Sequence, residues 1–172
     1  MSKRKLKQYL EGLSKQELEL QVLELHDRLK EVKDFYSFVF NPKEDKMLDE
    51  AKFRISKEYF PPGTRKPKKR RSVAHKKIKE FIKLGVEASI VADLMIYNME
   101  VAITFNAEYP SKQDAFYKSI QKSFSEAIMF VDDNGISSKF NPRIEKLIDH
   151  IYEQEWMNRG AFEDAMDDRH RA

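Results

Sequence analysis

VEASIVADLMIYNMEVAITF, residues 86–105, is the most apolar window of the chain, and the fold turns on whether it crosses a membrane or fills a protein core. About 20 apolar residues suffice to span a bilayer. This run, however, carries Glu87, Asp93, Asn98 and Glu100, and an acid at mid-bilayer costs ~2.5 kcal/mol or more. It reads as a central buried helix over residues 87–108, and no membrane contact is expected. Its polar positions are ordered: Ser89, Asp93, Tyr97, Glu100 and Thr104 recur at helical spacing and share one narrow stripe, while the other faces are almost wholly apolar. Asp93, Tyr97 and Glu100 are the strongest acid–base candidates, because carboxylates inside an apolar helix have raised pKa values if they are buried. The simpler alternatives are that this stripe is the helix's one wet face, or that it pairs with basic side chains of the helix before it.

Outward from this window only helices are predicted. Ser14 opens a capping box with Glu17, and Leu18, Val22, Leu25, Leu29, Val32, Tyr36 and Val39 follow at alternating spacings of four and three. That seam predicts one long helix over 15–40 with Leu18, Val22, Leu25, Leu29 and Val32 buried along it. Asn41, Pro42 and Glu44 start a second helix that runs to about Tyr59, where Pro61, Pro62 and Gly63 end it. A connector follows, and a third helix opens near Ser72 and stops at Gly85. Beyond the central helix, a fifth runs from about Ser111 to Val131 and stops at DDNG, and a sixth spans about Pro142–Trp156. The expectation is an all-α, single-domain bundle of about six helices, or a short αα-hairpin solenoid, over residues 1–157, with 158–172 a frayed tail.

A chain of 172 residues with 41% hydrophobic and 35% charged side chains is large enough to build a core without disulfides. With no cysteine, thiolate metal sites and cysteine nucleophiles are excluded, and a reducing compartment, the cytoplasm, is the expected location. The start, MSKRKLKQYLEGLSKQELE, has no apolar run or small-residue cleavage site and does not read as a signal peptide. The five glycines are isolated at turns, which leaves no phosphate loop. His26, His75, His150 and His170 are scattered, without a zinc or di-iron spacing. No cofactor is called for.

Charge is distributed unevenly. Residues 1–86 hold 23 basic and 13 acidic side chains, and residues 87–172 hold 9 and 16. The excess concentrates in PPGTRKPKKRRSVAHKKIKEF, residues 61–81, where Arg65, Lys66, Lys68, Lys69, Arg70 and Arg71 crowd the connector and Lys76, Lys77 and Lys79 continue on the next helix. Such density suits phosphate neutralisation, and Tyr59 and Phe60 just before it could stack a base. No base-reading module accompanies it, so any grip on nucleic acid is a grip on the backbone. The alternatives are a solvated loop, or cations that face the acidic second half. KPKKRR also fits a nuclear-import pattern.

Three segments carry a resemblance: LEGLSKQELELQVLELHDRLKEVKDFYSFVFNPKED, ISKEYFPPG together with RKPKKRRSVAHKKIKEFIKLG, and ADLMIYNMEVAITF. Over roughly residues 5–157 the chain resembles a family of small bacterial proteins known only as a domain of unknown function. The resemblance implies a helical, cytoplasmic, bacterial protein with no assigned activity or site residues, and a bacterial origin would empty the nuclear-import reading. The leading functional expectation is a non-enzymatic helical interaction protein of adaptor or scaffold type. It would recruit a protein partner or a second copy, as a monomer or weak dimer. The alternative is a sequence-nonspecific nucleic-acid-associated protein using the 65–83 strip, and an enzyme stands third.

Overall fold

The computed structural model describes residues 2–169. Nine helices and no strand occur among them: α1 (Lys3–Glu11), α2 (Lys15–Arg28), α3 (Lys30–Phe40), α4 (Glu44–Tyr59), α5 (Arg71–Leu84), α6 (Ala88–Glu108), α7 (Asp114–Asp133), α8 (Ser137–Glu153) and α9 (Gly160–Arg169). The all-α expectation holds, and the count exceeds the six expected. The chain divides into two compact units, Met1–Lys43 and Glu44–Ala172.

In the first unit the expected long helix is two. Ser14 makes its capping box, accepting from the Glu17 backbone N–H while the Glu17 carboxylate accepts from that of Ser14. The backbone then turns extended at Leu29 (φ −117°, ψ 116°), which ends α2 and starts α3. That one residue takes the seam off a continuous helix. None of the five seam side chains expected in the core is buried: Leu18 and Val32 are half-buried, and Val22, Leu25 and Leu29 are exposed. Gln21 Nε2 donates to Tyr9 Oη at 2.5 Å, tying α1 to α2.

The second unit is organised by α6. Leu94, Ile96, Met99 and Ala102 show no exposed surface, as expected of a helix apolar on nearly every side. By length and composition α6 could cross a membrane, yet two thirds of its apolar window is buried inside the protein. Helices α4, α5, α7 and α8 all pack on it, and α9 packs on α7. Gly85 closes α5 as expected: it takes the left-handed conformation (φ 75°), and Val86 N donates to Phe81 O at 3.1 Å. Helix α8 begins at Ser137, more than a turn before the expected start, so that Pro142 lies inside it.

The expected frayed tail contributes a side chain to the core. Phe162 of α9 is fully buried, 5.0 Å edge-on from Phe124 of α7 and 6.1 Å from Trp156. One aromatic in an acidic stretch anchors the segment. His170 and the two residues after it lie outside the described residues.

Candidate functional site

The polar stripe of α6 is an ion-pair clasp. Asp93 accepts from Lys52 Nζ of α4 at 2.6 Å and from Arg143 Nη1 of α8 at 2.5 Å. The same guanidinium forks onto Glu100, with Nε and Nη2 donating at 2.9 and 2.8 Å. Between them the Tyr97 hydroxyl meets Ser56 Oγ at 3.0 Å, and Lys52 stands 5.2 Å from the centre of the Tyr97 ring. Burial pushes the Asp93 carboxyl up, but the hydrogen bonds from Lys52 and Arg143, reinforced by their charges, overcome it and hold the group below the ordinary aspartate range. An acid held as its anion is a poor proton donor, and the raised pKa expected of a buried carboxylate is not found at Asp93. The pairing alternative holds with a correction: the partners come from α4 and α8, whereas the sequence pointed to the helix before α6.

The basic strip divides. Arg70 is spent on Glu58 of α4, whose carboxylate accepts from Nε at 2.9 Å and from Nη2 at 2.8 Å. Those bonds hold Glu58, which is buried, below the usual carboxylate range. The Glu58 carbonyl also accepts from the backbone N–H groups of Lys68 and Lys69, at 2.9 Å each. The connector is therefore tied to the end of α4 and is not a free solvated loop. Arg71 donates to Ser123 at 3.0 Å and meets Glu126 at 3.4 Å, and Lys77 pairs with Glu80 at 2.7 Å. Asp93 and Glu100, the acids suspected of neutralising the strip, are occupied elsewhere. Among the described residues, Arg65, Lys66, Lys68, Lys69, Lys76 and Lys79 have no carboxylate within 4.0 Å. All six are exposed.

Successive residues on a helix turn by about 100°, so Lys76 and Lys79, three apart, lie on one side of α5 while Lys77 turns away from them. Lys77 lines a small recess against α4, and Lys79 lines a groove against α7 beside His75. Burial and the neighbouring Arg71 charge push the His75 imidazole down, favouring its neutral form.

The connector cations border a cleft of about 600 Å³. Its apolar floor is Phe105 of α6, flanked by Phe60 at 5.6 Å and Tyr109 at 5.1 Å between ring centres. Arg65, Lys66 and Lys69 line its rim, with Lys69 Nζ 5.5 Å from the centre of the Phe105 ring, and one carboxylate, Glu108, joins them. Of the two aromatics named from sequence, Tyr59 is only 3% exposed and presents no free face, while Phe60 is 40% exposed. Tyr109, 60% exposed, was missed. Its only sequence signal was an aromatic at the end of the central helix, just before Pro110.

A family model matches residues 1–170, described as a family of unknown function, DUF6155. The chain belongs to that family. No curated protein and no solved structure matches it. The resemblance to a family of unknown function read from the sequence is thus correct, and the match extends over nearly the whole DUF6155 chain.

Proposed function

We propose that this DUF6155 protein is a non-enzymatic, sequence-nonspecific nucleic-acid-binding protein that holds phosphates on Arg65, Lys66, Lys68 and Lys69, with Lys76 and Lys79 adding to the field. The observation that carries this is the division of the strip. Carboxylates pair with Arg70, Arg71 and Lys77, while four exposed cations within five residues are left without one. Unpaired clustered cations cost self-repulsion, which a polyanion relieves together with release of its condensed counterions. The locked Asp93 and Glu100 support a non-catalytic reading.

The test is the salt dependence of binding to a fluorescent DNA or RNA of mixed sequence. Replacing Arg65, Lys66, Lys68 and Lys69 together by Ser should weaken every sequence about equally, because backbone charge carries no sequence information. It should also reduce the log–log salt slope by roughly 0.7–0.9 per lost contact, about three in all. Arg70 is left intact because it holds Glu58. No binding by the unmutated protein at low salt would overturn the proposal.

A second reading, recruitment of a protein partner or a second copy, is favoured by one observation in the Met1–Lys43 unit. Leu20, Leu23, Leu25, Leu29, Val39 and Phe40 are all exposed there, and apolar surface of this kind, where it is contiguous, marks contact sites. Sedimentation over micromolar concentrations separates the cases: a monomer or weak dimer is expected, and a concentration-independent dimer would make self-association the principal role.

A further inference from the structure

We infer that the cleft between the end of α4 and the end of α6 receives an unstacked base, so that the protein prefers single-stranded nucleic acid to duplex. This rests on the nucleic-acid reading above and adds to it what the connector alone does not give. Three features carry it. The walls are aromatic, and Tyr109 and Phe60 keep free surface although both touch Phe105, so a flat ligand finds rings to lie against. The volume of about 600 Å³ accepts a nucleobase and its sugar. The rim is charged on both sides: Arg65, Lys66 and Lys69 suit phosphates, while Glu108 is a carboxylate that a bare anion site would not include. A nucleotide satisfies both, because its phosphate is an anion and its base edge carries N–H donors. In a duplex the base faces are stacked and the Watson–Crick edges paired, so only an unpaired strand can offer a free face together with that edge. Stacking is sequence-tolerant, since every base has a π-face.

The experiment uses the full chain, a 12-nucleotide DNA carrying 2-aminopurine at its centre, and the same oligonucleotide annealed to its complement. The expected result is tighter binding of the single strand and a change in 2-aminopurine emission on binding. Tyr109→Ser should weaken single-strand binding by roughly 5- to 150-fold, the equivalent of ~1–3 kcal/mol for one stacked base. It should abolish the emission change while leaving duplex affinity and the salt slope as they were. Tyr109→Phe, which keeps the ring, should behave as the unmutated protein and shows that any loss in Tyr109→Ser comes from the missing ring. Equal affinity for both forms with an unresponsive 2-aminopurine would overturn the base pocket and leave the phosphate grip standing. Binding to neither form would overturn both.

Discussion

Arg143→Leu removes the guanidinium that ties α8 to two acids of α6, and its cost can be set from the contacts. Glu100 loses both of its hydrogen bonds, while Asp93 loses one and keeps Lys52. An exposed pair would contribute ~0–1 kcal/mol, and a fully buried one, broken on one side, would cost ~3–5 kcal/mol. Arg143 is 33% exposed and the two acids 20% and 34%, which places the loss between those limits, at about 2 kcal/mol. In a unit of this size that is a fall in Tm of roughly 6–10 °C. Urea denaturation at pH 7 reads it directly. Replacing Glu100 by Leu as well should recover part of the loss, because the double variant no longer leaves that acid without its partner.

The pH dependence has a definite sign. Asp93 is depressed in the folded protein relative to its ordinary value of 3.8. Its contribution is therefore present in full above that value and is lost as pH falls through the lower, folded-state pKa. The variant has given up part of that depression. The stability gap between unmutated protein and variant should accordingly hold from pH 7 down to about 5 and narrow below 3.8. A loss under about 0.5 kcal/mol at pH 7, the ordinary range for a surface change, or a gap that widens on acidification, would refute the clasp.

Leu94→Ala, at a position with no exposed surface, should cost ~2–5 kcal/mol, whereas Leu25→Ala, 47% exposed, should stay within about 0.5 kcal/mol; comparable losses in urea denaturation would put Leu25 back in a core. Phe162→Ala should cost ~3–5 kcal/mol, and a variant that melts with the unmutated protein would return α9 to the status of a tail. Glu58→Gln gives up the charge that holds Arg70 and should speed tryptic cleavage within residues 65–71 severalfold, with an unchanged cleavage rate counting against the anchoring of the connector.

What the sequence disclosed followed the range of the interaction. Helix α6 was legible because its apolar faces and its stop signals are local, and so was the polar stripe, whose spacing is the helix's own. The partner of that stripe was not: Arg143 stands among ordinary surface residues of α8 and is brought in only by tertiary packing. The density of the 65–71 cations could be counted directly, but their division between fold and solvent depends on Glu58 and Glu126, acids that look like any others in the chain. The seam over 15–40 shows why a four-three pattern is weaker evidence than it looks. It says which side chains would share a face if the helix were continuous, and the extended backbone at Leu29 breaks that condition.

The clasp also explains why the cleft exists where it does. Lys52 meets Asp93, Ser56 meets Tyr97, and Tyr59 and Phe60 meet Phe105. The contacts advance along both chains together, so α4 and α6 run parallel, with α5 returning between them in the sequence. Two parallel helices end at the same side of the unit, and both ends here are aromatic. Apolar packing alone tolerates a slip of one turn between such helices, since one aliphatic side chain replaces another with little loss. Charged and hydroxyl pairs do not, because a slip would leave a half-buried carboxylate without its cation. The polar stripe that suggested chemistry in the sequence thus has a positional role: it fixes the register of α4 against α6, and through that register it sets Phe60 and the basic connector across from Tyr109.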